Sequence, residues 1–187
     1  LRGEKKQMFV FFSDLRGFTN MSESKDPTLV VKLLNEYFSY MVPVINQSGG
    51  VVDKFIGDAI MAVWGVPHEK PDDGKNALMA CLKMRLSLET LNRVRVMRGE
   101  PELWMGMALH YGEAISGTIG SLERMEYTVI GNTINTASRI EASTKTFGTD
   151  LLVSEEVKNK LQDFIYAEAG TVEVKGRSES LKLYKVL

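Results

Sequence analysis

Two aspartates close apolar segments of this chain. Asp14 ends the run "QMFVFFS", Gln7 to Ser13, and Asp58 sits in the turn Ile56-Gly57-Asp58 of "VVDKFIGDAIMAV", Val51 to Val63. Two carboxylates brought together are costly unless a cation or a proton neutralises them. Mg²⁺ takes one or two carboxylates plus substrate phosphates, and two such ions can clamp the attacking and leaving oxygens of a phosphoryl displacement. Taken singly, Asp14 reads as a loop cap and Asp58 as a turn residue. The stretch "SDLRGFT", Ser13 to Thr19, favours the chemical reading, because the backbone N–H groups of a polar turn around Gly17, Phe18 and Thr19 can cradle phosphate oxygens. Arg16 stays unassigned, as a loop arginine that is usually just solvated.

The elements that must position these residues follow from pattern. Gln7 to Ser13 is a nearly continuous apolar run and suits a strand buried on both faces. Asp26-Pro27 is a cap followed by proline at the first helical position, and the stripe Leu29, Val30, Leu33, Leu34, Tyr37, Phe38, Met41, Val42 and Ile45 runs on to a stop before Gly49-Gly50. Pro43 is expected to bend the last turns. A hairpin, Val51 to Phe55 and Ala59 to Trp64, precedes a second long helix from about Asp73 to Arg98, ended by Gly99 and Pro101. "LWMGMALHYGEAISGTIG" reads as two strands around Tyr111-Gly112, with His110 at a strand end, and "MEYTVIG" as another strand. Asn132 to Thr146 is helical, Ser154 caps a short helix through Leu161, and the tail forms strands around Val172-Val174 and Leu181-Val186.

The order strand, helix, hairpin, helix, strand describes an α+β, ferredoxin-like (split βαβ) core with C-terminal additions. In that core the second hairpin arm lies antiparallel beside the first strand. Asp14 and Asp58 then become neighbours.

Composition sets the outer limits. A chain of 187 residues, 44% hydrophobic, supports one domain, taken as 1–187. Its 23 Lys and Arg against 24 Asp and Glu give a formal net charge of −1, which argues against general binding to nucleic acid or an acidic membrane. The single Cys81 fits a reducing compartment as a small buried hydrophobe. No apolar run reaches the roughly 18 residues of a membrane span, and the opening Leu1-Arg2-Gly3-Glu4 is no signal peptide. A start at leucine leads us to expect a fragment of a longer regulated protein.

Together, "FFSDLRGFT", "VVDKFIGDAIMAVWG" and "EYTVIGNTINTASRIE" resemble the catalytic domain of the class III nucleotidyl cyclases, the bacterial adenylyl cyclases in particular. The resemblance runs from about Lys6 to the C-terminus. It implies that Asp14 and Asp58, with the carbonyl of Leu15, bind two divalent ions per site, Mg²⁺ or Mn²⁺. It further implies that Lys54 and Thr128 read the base, that Asn135 positions the ribose, that Arg139 meets the transition-state charge, and that Lys175 in "VKGR" binds the triphosphate. The residue types suit those roles. Lysine only donates, which matches N1 of adenine, whereas the threonine hydroxyl can accept from the exocyclic amine; guanylyl relatives typically carry Glu and Cys there. Asn135 and Arg139, at i and i+4, share a helix face, and Arg139 carries a permanent forked charge.

The resemblance also implies ATP as substrate and a head-to-tail homodimer. Each shared site would take the metal aspartates from one subunit and Lys54, Thr128, Asn135 and Arg139 from the other. A regulatory domain N-terminal to the domain and a cytoplasmic location complete the expectation. Lys54 and Asp58 would thus share a hairpin and serve different sites, the alternative being a local ion pair between them. Arg124 matches a phosphate-binding position of some relatives only loosely. Asn132, where many bacterial members have Asp, is a mild departure. Competing readings are a guanylyl or relaxed-specificity cyclase, a catalytically silent nucleotide-binding regulatory domain, and an RNA-binding module stacking on Phe9, Phe11 and Phe12.

Overall fold

The computed structural model describes residues 3–187, so the first expected domain residue, Leu1, lies with Arg2 outside the described residues. Strand β1 (Glu4–Leu15) sends Phe9, Phe11 and Leu15 into one core cluster and Met8, Val10 and Phe12 into another. That two-residue period with both faces covered is what the continuous apolar run predicts. Asp14 falls on the Met8, Val10 and Phe12 side by the same alternation.

Gly17, in the left-handed region at φ 68°, turns the chain into a six-residue helix α1 (Phe18–Glu23). Asp26 caps α2 (Pro27–Gln47) by accepting from the Thr28 amide at 2.9 Å, and Pro43 is accommodated within the helix. Its buried residues Leu33, Tyr37, Met41 and Ile45 recur every fourth position, one stripe worth about 1.5–3 kcal/mol for each large apolar side chain. The hairpin follows as β2 (Val51–Ile56) and β3 (Ala59–Trp64), with Gly57 left-handed at the turn. Helix α3 (Asp73–Met97) packs beside α2 over the Phe9 and Phe11 face.

Strand β4 (Met105–Gly120) corrects the expectation of two strands around Tyr111-Gly112. It is continuous, Gly112 pairs with Met8, and His110 lies inside the strand rather than at its end. Gly112 is needed for contact, because a Cβ there would come within 2.7 Å of Thr133 Oγ1. β5 (Met125–Ile130) returns along β4, and α4 (Asn132–Ala142) packs on β4 and β1, placing Ala137 in the Met8, Val10 and Phe12 cluster. The expected helix to Thr146 thus ends four residues early. A short β6 (Leu151–Ser154), not anticipated, leads into α5 (Glu155–Lys160), capped by Ser154 as expected. β7 (Tyr166–Val172) ends where the sequence places its middle, and β8 (Leu181–Val186) completes the sheet.

The sheet order is β2-β3-β1-β4-β6-β8-β7, with β5 on β4. The first four strands pair antiparallel, which is the split βαβ arrangement, and β6, β7 and β8 extend it beyond β4. Among the described residues no helix is long and apolar enough to cross a membrane.

Candidate active site

The β1–β3 register runs to Ser13 opposite Ile60, which brings the Asp14 end of β1 to the Asp58 turn. The Leu15 amide donates to Asp58 Oδ2 at 2.8 Å. A third acid, Glu141 on α4, reaches the same place, its carboxyl beside that of Asp14. Burial, reinforced by the Asp14 carboxyl beside it, pushes Glu141 up to about 8. Asp14 is raised as well, by burial and then by the Asp58 charge, against the lowering influence of the Glu141 carboxyl beside it and of the Lys145 and Arg16 charges. Asp14 Oδ1 and Glu141 Oε2 are buried without hydrogen-bond partners. Gly106 makes room for this acid, since a Cβ there would lie 2.8 Å from Glu141 Oε2 and 2.4 Å from Thr144 Oγ1.

Among the described residues no group of three or more His, Cys, Asp and Glu side chains is placed to hold a metal ion alone. Asp14 and Asp58 nevertheless fit a divalent ion that completes its coordination with substrate phosphate, because converging carboxylates with a buried, unanswered oxygen attract a cation. Around Gly17, the Phe18 ring packs against the main core, so that residue offers a ligand only its backbone. The Arg16 guanidinium donates to the Thr149 carbonyl and its amide to Trp104 O at 2.8 Å, which ties the loop to its neighbours.

A second cluster forms around Asp53, which no pattern in the sequence singles out. The β2–β3 register shifts between Val52 and Lys54, leaving Asp53 as the extra residue of a β-bulge. Neighbours on a regular strand point to opposite faces, yet here Lys54 Nζ lies 3.7 Å from Asp53 Oδ2. The Thr128 hydroxyl donates to the same Oδ2 at 2.7 Å. Thr128 is on β5, with β3, β1 and β4 lying between it and β2 in the sheet, so the sheet curls far enough for the two to touch. Val129 follows the same curl and packs with Met61 and Val63. Lys54 therefore pairs with Asp53, while Asp58 turns to Leu15.

A third group lines a cavity of about 220 Å³ between α4 and the segment after β7. Asn135, Arg139 and Lys175 meet there, joined by Asn132, Thr136, Glu173 and Val174. Among the described residues neither Arg139 nor Lys175 forms an ion pair, which leaves two cationic groups available to an anion. Asn132, a bystander in the sequence, belongs to this cavity. Arg124 does not join any of the groups; it sits in the β4–β5 turn, its amide bonded to Ser121. His110 is buried against Ser154, Nδ1 to Oγ 2.7 Å, and burial pushes it down to about 4. Cys81 is buried and its thiol is pushed up by that burial.

These three groups sit on a chain whose residues 2–187 match the model of the adenylate and guanylate cyclase catalytic domain. The chain belongs to that family. Similarity extends to an adenylate cyclase of Anabaena cylindrica, 37% identical over 97% of this chain, which spans 37% of that relative's length. Among solved structures, the adenylyl cyclase CyaB from P. aeruginosa superimposes with a TM-score of 0.91 at 31% identity, covering 100% of this chain and 96% of that one. The guanylyl cyclase Cya2 superimposes with a TM-score of 0.89 at 34% identity, covering 100% of this chain and 94% of that one. This cyclase domain thus shares its fold with catalytic domains named for either base, and the residues around Asp53 must argue the choice.

Proposed function

We propose that this domain is an adenylyl cyclase, converting ATP to 3′,5′-cyclic AMP and pyrophosphate. The observation that carries the choice of base is the meeting of Lys54 and Thr128 on one carboxylate, Asp53. Lys54 donates to N1 of adenine, an acceptor that in guanine is a donor.

In the reaction the ribose 3′-oxygen attacks the α-phosphorus in line, the bond from that phosphorus to the bridging oxygen of the β-phosphate breaks, and the 3′-hydroxyl proton passes to solvent. Asp14, Asp58 and the Leu15 carbonyl would hold two divalent ions, Mg²⁺ or Mn²⁺, which supply Lewis-acid activation and charge neutralisation when bound. Asn135 orients the ribose and Arg139 places its guanidinium against the charge developing on the α-phosphate. Lys175 and the backbone around Gly17, Phe18 and Thr19 bind the remaining phosphates. The cavity that Arg139 and Lys175 share, neither of them ion-paired among the described residues, supports this placement.

The working unit is a homodimer with two shared sites. Apolar side chains left exposed on β2 and β5, Phe55, Ile56, Met125, Tyr127 and Ile130, support a partner on these strands. A regulatory domain N-terminal to this one and a cytoplasmic setting belong to the same proposal. The guanylyl alternative draws on the likeness to Cya2 but would leave Lys54 facing a donor.

The test is purified protein with ATP or GTP and each metal, the products separated by chromatography. Cyclic AMP in step with pyrophosphate, and little cyclic GMP, is expected. Equal or faster turnover of GTP would overturn the assignment, and no turnover with either would return the domain to a regulatory role.

A further inference from the structure

We infer that Asp53 sets the nucleotide selectivity of the site by fixing which way the Thr128 hydroxyl bonds. The inference rests on the reading of Thr128 as a base contact. It adds a positioning residue that touches no part of the substrate itself.

A hydroxyl carries one proton and two lone pairs, and can therefore serve either an amine or a carbonyl. Left free, Thr128 would rotate to accept from the 6-amino group of adenine or to donate to the 6-oxo group of guanine. It would discriminate poorly. In this structure the proton is already committed. Thr128 Oγ1 lies 2.7 Å from Asp53 Oδ2, a carboxylate only accepts, and so the hydroxyl must be the donor. What remains toward a ligand is a pair of acceptor lone pairs, which match an amine and oppose a carbonyl oxygen.

Asp53 is held for this task. Its side chain is 6% exposed, so water does not compete for the Thr128 proton, and Lys54 Nζ stands 3.7 Å from the same oxygen. The acid thus faces one ammonium and one hydroxyl, both of them donors. The β-bulge makes the arrangement possible by turning Asp53 and Lys54 to one side of β2. Lys54 and Thr128 thus read the base as a coupled pair, their polarity set by one buried acid.

The test isolates the 6-position. kcat/KM is measured for ATP, for GTP and for purine ribonucleoside triphosphate, which has the same N1 acceptor as ATP but no 6-amino group. Each ratio is taken on one preparation, so the folded fraction cancels. In the parent, ATP should exceed the purine nucleotide by roughly tenfold or more. Asp53→Ala, which frees the hydroxyl, should bring that ratio several-fold closer to one and raise GTP relative to ATP. Asp53→Leu, which fills the volume without an acceptor, should do the same and serves if the alanine variant does not fold. Thr128→Val should abolish the 6-amino preference, and adding Asp53→Ala to it should change the ratio no further.

An equal loss of kcat/KM for all three nucleotides in both Asp53 variants would mean a merely structural acid and would overturn the inference. So would a further fall of the ratio when Asp53→Ala is added to Thr128→Val. The two assignments fail separately. A parental ratio in Thr128→Val removes Thr128 from the base site, whereas a collapsed ratio in Thr128→Val beside a parental one in Asp53→Ala leaves Thr128 in place and rejects Asp53.

Discussion

The Asp14 and Asp53 regions are both built from carboxylates that meet across the fold, and they are electrostatic opposites. Around Asp53 one acid faces one lysine and one hydroxyl donor, all within a single chain. Around Asp14 three acids converge and two buried oxygens go unanswered. The first arrangement is complete and rigidly polarised before any ligand arrives. The second costs stability until something positive, a proton or a metal, enters. A recognition surface benefits from being finished in advance, and a cation site benefits from being left deficient.

Removing a deficient acid should therefore separate activity from stability. Asp14→Ala is expected to lower turnover by on the order of 10³-fold, since a lost ligand forfeits several kcal/mol of transition-state stabilisation. Its Tm in chelator-treated buffer should stay level or rise, because a buried, repelled charge has gone. Retained metal-dependent turnover would break the comparison at its stronger end.

At the Asp53 end a change of polarity should redistribute activity among substrates. Lys54→Glu with Thr128→Cys is expected to lower the ATP:GTP ratio of kcat/KM by about 10²-fold, because buried hydrogen-bond mismatches discriminate strongly. Full transfer to GTP is not expected, since the new glutamate would stand beside Asp53 and the two charges would repel. An unchanged ratio would remove both residues from the base site.

The two regions also differ in how far the sequence revealed them. A long apolar run made β1 legible, a capped apolar stripe α2, and the Gly99 and Pro101 stop α3, and with them the adjacency of Asp14 and Asp58, which follows from strand order alone. Asp53 was hidden because a bulge reverses the alternation from which facing is read, and nothing in "VVDKF" marks the extra residue. Glu141 was hidden differently. It stands two positions after Arg139 in "SRIE", and its approach to Asp14 depends on the missing side chain of Gly106. Gly112 misled by looking like a turn, when its role is contact with Thr133. The four-residue β6 is too short to show a period at all.

A buried polar pair outside both regions offers a calibration. His110 bonds Ser154, and burial holds it near 4, below its ordinary value of 6.5. Below pH 6.5 the unfolded chain binds a proton that the folded chain refuses, so stability falls as pH falls. Between pH 6.5 and 5 the loss should be roughly 1.5 kcal/mol. His110→Asn, which can keep a polar contact to Ser154 without titrating, should flatten that part of the Tm profile. An unaltered slope would show that the histidine is not its source.

Subunit mixing can separate the two regions by the chain that supplies each. Asp58→Ala chains, deficient at the metal end, are mixed and re-equilibrated with Arg139→Ala chains, deficient in the cavity on α4. If each site draws these residues from different subunits, the mixed dimer holds one site with both lesions and one with neither. Random pairing makes about half the dimers mixed, so about a quarter of the parental sites should be intact. Two inactive proteins would then give activity on mixing, at roughly a quarter of the parental level. If both residues came from one chain, every site would carry a lesion and mixing would restore nothing. A size measurement with one labelled partner must show that subunits exchange, because failure to exchange gives the same negative result. With exchange demonstrated, a flat response across mixing ratios would place both regions in one chain's site and reject the shared interface.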